Sequence, residues 1–273
     1  MNIKKLAFIG GGNIAYSLVS GLIKNHYPAE KIWVSNPSRE KRDRFQQSFS
    51  VNIETSNIQA IAQAEVVIFC IKPQMVNKVL AEVAETLKNT KALVISVMAG
   101  VRIATFIKWL GRELPLIRAM PNTPAVLGCG ITGLYAEEKV SDEEKGIAEN
   151  IMRSVGAILW LDQEEKMNAV TALAGSGPAY FFLMIEALQQ AGLKIGLSVE
   201  EAKILVLQTA LGAARMALES NKAAEVLRYE VTSPKGTTEQ AINCLLQDNF
   251  KGLLEKAIMA ANNRAKELAD SYS

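Results

Sequence analysis

The chain has 273 residues, 49% of them hydrophobic and 21% charged, with a formal net charge of +2. This length suits about two domains, each able to bury a core of its own. The near-neutral balance, with no Lys/Arg-rich run, argues against nucleic acid as a partner. Three cysteines, Cys70, Cys129 and Cys244, are odd in number and lack metal-ligand spacing. Buried free thiols in a reducing cytosol are expected, and no metal. Glycines cut the apolar run near the start too early for a spanning helix or a signal peptide, so a cytoplasmic protein with no membrane partner is expected.

Residues 6–15 (LAFIGGGNIA) read as a buried strand, an abrupt glycine turn and the first turn of a helix. Gly10, Gly12 and Ala15 fit the GxGxxG/A pattern. Its first glycine makes the turn, its second admits a pyrophosphate, and its small third residue lets helix pack on strand. Together with Gly11, Asn13 and Ile14, they would present backbone amides at a helix start, where the dipole favours phosphate. A helix over 14–25 follows, then a strand over 32–35 that ends in Asn36, Pro37, Ser38 and Arg39. The carboxylate that would hydrogen-bond the ribose of NAD is missing there. Polar donors and a guanidinium suit an adenosine 2′-phosphate instead, so NADPH is expected over NADH. The same residues also read as the cap and first turn of a solvated helix.

The alternation continues with a weak strand over 51–53, a short helix over 57–63, and EVVIFCI (65–71), a continuous apolar run expected of a strand buried on both faces. Lys72, Pro73 and Gln74 end it and open a helix, with proline at the favourable first position. A strand over 92–97 closes into Met98, Ala99 and Gly100. This order predicts an α/β domain with a doubly wound, Rossmann-like, mostly parallel sheet. Ligands lie beyond the carboxyl ends of such strands, which puts 71–73 and 97–99 at a cofactor crevice. A further strand is expected over 116–120. Pro121 and Pro124, then Gly128, Gly130 and Gly133, force a non-helical passage. Strands over 131–135 and 157–161 flank a helix over 142–153. A boundary near Asp162 separates a dinucleotide-binding domain (1–162) from an all-α domain (163–273).

Helices over 179–191 and 200–218 carry apolar residues all round, including Phe181, Phe182, Leu205 and Leu211. Such helices must be buried on more than one side. So small a domain cannot easily enclose both alone, so a homodimer with an interleaved helical bundle is expected over a compact monomeric core.

No nucleophile–base pair stands out, and the single histidine, His26, reads as packing at a helix end. Two turns gather hydroxyls and small residues before a helix, at 174–178 and 231–238. Each would offer amides to a carboxylate, and each also reads as an ordinary cap.

With FIGGGNIA near the start, IKPQ (71–74), SVMAG (96–100), RAMPNTPA (118–125), AVTALAGSGPAY (169–180), QTALGAARM (208–216) and VTSPKGTT (231–238), the chain resembles pyrroline-5-carboxylate reductases over nearly its whole length. Lys235 departs from the family's SPGGTT, where a glycine is usual. The resemblance implies reduction of 1-pyrroline-5-carboxylate to L-proline by NADPH or NADH, the last step of proline biosynthesis. It also implies a helical domain that dimerises, with assembly beyond the dimer open. Cofactor contacts carried over by position are Gly10, Gly11, Gly12, Asn13, Ile14, Ala15, Asn36, Asn57, Cys70, Ile71, Lys72, Pro73, Val97, Met98 and Ala99. Ser38 and Arg39 join them from the phosphate argument. Substrate contacts carried over are Glu164, Glu230, Ser233, Gly236, Thr237 and Thr238, with Thr238 the candidate catalytic hydroxyl beside the ring nitrogen. A cyclic imine is protonated more readily than a ketone, which fits the missing acid. Two rivals are reduction of a keto acid, with Lys72 or Lys166 as proton source, and an NADP(H)-sensing regulator without turnover.

Overall fold

A computed structural model describes residues 3–272. In chain order the sheet part runs β1 (Leu6–Ile9), α1 (Asn13–Lys24), β2 (Ile32–Ser35), α2 (Arg39–Phe49), β3 (Asn52–Glu54), α3 (Asn57–Ala62), β4 (Val66–Phe69), α4 (Val76–Lys88), β5 (Leu93–Ser96), α5 (Ile103–Leu110), β6 (Leu116–Met120), β7 (Gly130–Ala136), α6 (Asp142–Arg153) and β8 (Gly156–Trp160). The eight strands lie in the order β3-β2-β1-β4-β5-β6-β7-β8. All neighbours are parallel except β6 and β7. A parallel return needs a crossover of a dozen or more residues. The proline-bounded segment between β6 and β7 is shorter than that and forms only a 3₁₀ turn, Thr123–Leu127, so β7 runs back beside β6.

The central strands are buried at every position, and apolar except for Ser96 at the end of β5, because both faces are covered. Alternate residues feed two cores. Leu6 and Phe8, Val66 and Ile68, and Leu93 and Ile95 pack with α1 residues such as Leu18 and Leu22 and with Ile151 and Met152 of α6. Ala7 and Ile9, Val67 and Phe69, and Val94 pack with Leu80, Val83 and Phe106 of α4 and α5. Each fully buried large side chain contributes roughly 1.5–3 kcal/mol. Local signals set several helix starts: Ser141 and Glu144 form a reciprocal capping box at α6, and Ser38 accepts from the Lys41 amide at α2. His26 adopts a left-handed backbone just past α1, where it ends the helix at the exposed surface rather than packing there.

Beyond β8 come α7 (Lys166–Val170), a π-helical turn (Thr171–Gly175), α8 (Gly177–Lys194), α9 (Val199–Glu219), α10 (Ala224–Glu230), α11 (Thr237–Gln247) and α12 (Phe250–Ser271). The chain divides into two compact units, one holding the residues up to Ser176 with those from Ala261 onward, the other Gly177–Ala260. Residues 163–176, helical in composition, lie in the sheet unit, where Met167 and Ala172 are buried. In the second unit α8 packs on α9, with Ala202 set against Gly192. Its other large apolar side chains stay open: Phe181 is 74% exposed, Phe182 66% and Leu205 53%. The stretch Lys166–Lys194 is long and apolar enough to cross a bilayer by length and composition alone. Of the cysteines only Cys70 packs against the core; Cys129, in a glycine-rich loop, and Cys244, on α11, are exposed, which corrects the expectation of buried thiols.

The expected anion-binding turn at 174–178 is not a turn. Helix runs from α7 through the π turn almost without break into α8, and the Ser176 amide donates to the Thr171 carbonyl (2.9 Å). Pro178 has no N–H to give the carbonyl four residues back, at Ala174. Asn122 supplies that donor: its Nδ2 reaches the Ala174 carbonyl at 3.1 Å while its Oδ1 accepts the Ile131 amide at 2.9 Å. One buried side chain thus ties the loop after β6 to β7 and to the π turn. Asn122→Ala removes both bonds and leaves the part-buried Ala174 carbonyl and Ile131 amide without these partners. We expect a loss of about 1–3 kcal/mol in stability, measured by urea unfolding.

Candidate active site

Strands β2, β1, β4 and β5 end at one level, with Ile9 paired to Ser35 and to Phe69, and Phe69 paired to Ser96. The loops that leave them are joined by main-chain hydrogen bonds. The Gly10 amide donates to Ser35 (2.9 Å), Cys70 to Ile9 (2.8 Å) and Val97 to Phe69 (3.1 Å). Asn36, Cys70 to Pro73 and Val97 to Ala99 therefore lie with the glycine turn at the carboxyl edge of the sheet, where a doubly wound fold binds its ligand.

Gly10 is fixed by sterics. Its φ is +100°, and a Cβ there would stand 2.7 Å from the Cys70 carbonyl oxygen. At the start of α1, Gly12 occupies the N-cap with no side-chain cap, and the first turn carries no acidic residue. An anion can take those amides and the positive end of the dipole. Nearby, the buried Ser96 hydroxyl at the end of β5 has no hydrogen-bond partner among the described residues. An uncapped helix start, a glycine cradle that a Cβ would fill and an orphaned hydroxyl all fit a dinucleotide.

At the end of β2 the buried Asn36 accepts the Ser38 amide on Oδ1 (2.9 Å), and Arg42 Nη1 donates to the carbonyls of Asn36 (2.7 Å) and Pro37 (2.8 Å). Arg42 carries no motif signal of its own. Its only hint is its place in the first turn of the helix that Ser38 caps. Arg39 is exposed and reaches Asp43 at 3.6 Å. Asn57 accepts the Ser35 hydroxyl (2.7 Å) and donates to Glu82 at 3.3 Å. Across the crevice, burial pushes the Cys70 thiol far above its ordinary range, so it is a neutral wall group and not a nucleophile. Met98 is buried, Val97 and Ala99 are half-buried, and Lys72 is exposed.

Glu164 belongs to the sheet unit. Its Oε1 lies 3.1 Å from Nη1 of Arg118 and accepts the Ile103 amide at 2.8 Å. The carboxylate therefore caps α5, whose own N-cap residue, Arg102, makes no side-chain cap. Desolvation lowers the pKa of the buried Arg118, and the facing Glu164 charge opposes that shift.

The remaining substrate candidates belong to the helical unit. Glu230 pairs with Lys222 at 2.6 Å, both side chains partly open to solvent. Lys235 has a φ of +58°, in the left-handed region that costs a non-glycine residue roughly 1–2 kcal/mol. That is the physical reason a glycine would suit the position. Its amide donates to Glu239 at 2.8 Å. Gly236 then N-caps α11 with no side-chain cap, leaving Thr237 and Thr238 as the first helical residues. Ser233 and Thr237 are exposed, and Thr238 is half-buried. Lys166, a proton source in the keto-acid alternative, is held by Asp162 at 2.7 Å on the exposed surface. No cluster of three His, Cys, Asp or Glu side chains able to hold a metal occurs among the described residues.

Two family models match this chain. One, described as pyrroline-5-carboxylate reductase dimerisation, covers residues 164–268. The other, NADP oxidoreductase coenzyme F420-dependent, covers residues 5–100. A pyrroline-5-carboxylate reductase of Pseudomonas aeruginosa is 46% identical over 270 residues, spanning 99% of this chain and 98% of its own. The chain belongs to the pyrroline-5-carboxylate reductase family. Among solved structures, the pyrroline-5-carboxylate reductase of Coxiella burnetii superposes with a TM-score of 0.94 at 47% identity, covering 98% of this chain and 99% of that one. The Plasmodium falciparum pyrroline carboxylate reductase, solved with NADP bound, gives 0.87 at 30% identity over the same shares. The Rossmann-type sheet and the helical second part expected from the sequence are those of the family. The dimerisation match falls on the helices whose apolar faces are open in a single chain.

Glu164→Ala strands a buried guanidinium and uncaps α5. We expect a loss of about 3–5 kcal/mol on urea unfolding, much of it recovered by the paired apolar replacement Arg118→Met with Glu164→Leu. A residue that only touched substrate would leave the unfolding midpoint in place.

Proposed function

We propose that this protein reduces the C=N bond of 1-pyrroline-5-carboxylate to give L-proline, with NADPH preferred over NADH as the reductant. The observation that carries the reading is similarity along the full chain to reductases of that name, supported by a crevice with the features a dinucleotide needs. When bound, the reduced nicotinamide supplies the hydride. The chain supplies position and charge.

Amides at the start of α1, from Gly12 to Ala15, hold the pyrophosphate beside Gly10 and Gly11. Asn36, Asn57, Ser38 and Arg39 serve the adenosine end, with Arg42 bracing the strand-end carbonyls. With no carboxylate at the end of β2, the 2′-phosphate of NADPH meets donors rather than repulsion. Cys70, Ile71, Lys72 and Pro73 form one wall and Val97, Met98 and Ala99 the other.

On the substrate side, Ser233, Gly236 and Thr237 offer hydroxyls and the first amides of α11 to the carboxylate, with Glu230 next to them in sequence. Thr238 orients the ring nitrogen. For Glu164 the pair with Arg118 favours a positioning part over contact with the ring. A cyclic imine takes its proton from water, so alignment and oriented dipoles suffice without a histidine. The open faces of the helical unit pair with a second copy rather than with lipid. The cytoplasm is the expected location.

Initial rates test the reading. NADPH oxidation should follow addition of pyrroline-5-carboxylate and not of pyruvate-like keto acids, and NADH should serve less well. Cofactor binding without oxidation would point to a sensor instead. Thr238→Ala should lower kcat/KM by about 10- to 1,000-fold; unchanged kcat and KM would remove Thr238 from the mechanism. Light scattering should give at least twice the chain mass of 29.7 kDa, and a monomer would overturn the homodimer.

A further inference from the structure

The loop from Val97 to Arg102 is gripped from outside the sheet by the end of the chain. Gly100 has a φ of +78°, and a Cβ built on it would lie 3.4 Å from the Tyr272 ring and 3.6 Å from the Ala269 amide. Ala265 and Ala269 of α12 are buried, as are Met98, Val101 and Ile103 of the loop and its exit. Tyr272 packs on the core layer that holds Met98, Val101 and Phe106. At the rim Arg102 Nη2 meets Asp270 Oδ1 at 2.5 Å. Glu164 closes the far end of the loop at the Ile103 amide.

We propose that the last turns of α12 and the residue after it, through Asp270 and Tyr272, act as a brace that sets the backbone of Val97, Met98 and Ala99 for the nicotinamide dinucleotide. Tyr272 and Asp270 are thus positioning residues. The inference rests on the reading that this loop lines the cofactor crevice. The loop has no regular secondary structure of its own, so its shape depends on what packs over Gly100. A small-residue patch at Ala265 and Ala269 lets the helix approach closely enough for the ring to cover that glycine. The exposed Arg102–Asp270 pair adds direction more than stability.

The test uses the full chain and reads NADPH affinity directly by fluorescence titration, beside KM for each substrate and kcat. Tyr272→Ala and Asp270→Arg should each raise Kd and KM for NADPH by about 3- to 10-fold. In both, kcat and KM for pyrroline-5-carboxylate should stay within about twofold of the parent. Tyr272→Phe keeps the ring and should match the parent. Arg102→Asp combined with Asp270→Arg should regain most of the affinity lost by Asp270→Arg alone. Unchanged NADPH affinity in Tyr272→Ala, no recovery in the reversed pair, or a fall confined to kcat would each overturn the brace. If the parent protein binds NADPH but oxidises none with pyrroline-5-carboxylate, the functional reading fails, and the affinities still decide the brace.

Discussion

The ladder between β1 and its two parallel neighbours is the constraint on which the crevice depends. Leu6 and Phe8 face one core, Ala7 and Ile9 the other. A slip of one residue would exchange the faces of the strand. It would also pull Gly10 away from the Ser35 carbonyl it donates to, and Cys70 away from Ile9. The glycine at position 10 follows from that register, because only with β1 and β4 level does the Cys70 carbonyl stand where a side chain would otherwise go. The motif and the packing of the sheet are one requirement seen at two scales.

What was legible in the sequence was what is written locally. Continuous apolar runs marked β1, β4 and β5, the glycine spacing marked the turn into α1, and residues without a polar face marked α8 and α9. What was not legible depends on partners far along the chain. Helix α5 starts without a capping residue of its own, since Glu164 provides the cap from beyond β8. The glycines and proline of 174–178 look like turn punctuation, yet Asn122 satisfies the carbonyl that Pro178 leaves and the helix continues. Arg42 differs from neighbouring basic residues only in where its guanidinium ends. The apolar run of 65–71 showed Cys70 within it, whereas nothing local distinguished the exposed Cys129 and Cys244 as open.

The helical unit presents the opposite case, in which sequence and single-chain structure agree that something is missing. Phe181, Phe182, Leu183, Ile204, Leu205 and Leu211 expose more than half of their surface. Apolar area is worth roughly 25 cal/mol per Å² when removed from water, which favours covering these side chains. The length and hydropathy of 166–194 alone would suit a bilayer as well. The dimerisation match across 164–268 makes protein the better partner for that surface.

Two helices, α1 and α11, start on a glycine N-cap with no side-chain oxygen to satisfy their first amides. In the proposed reaction each has an anion to meet, the pyrophosphate at α1 and the substrate carboxylate at α11. A capping Ser or Asp would stabilise either helix by about 1 kcal/mol but would compete for those amides. The left-handed Lys235 points the same way. It accepts backbone strain that a glycine would relieve, and it adds a positive charge next to amides that would hold a carboxylate. Local stability is given up at both helix starts, and in each case the chemistry left open is that of binding negative charge.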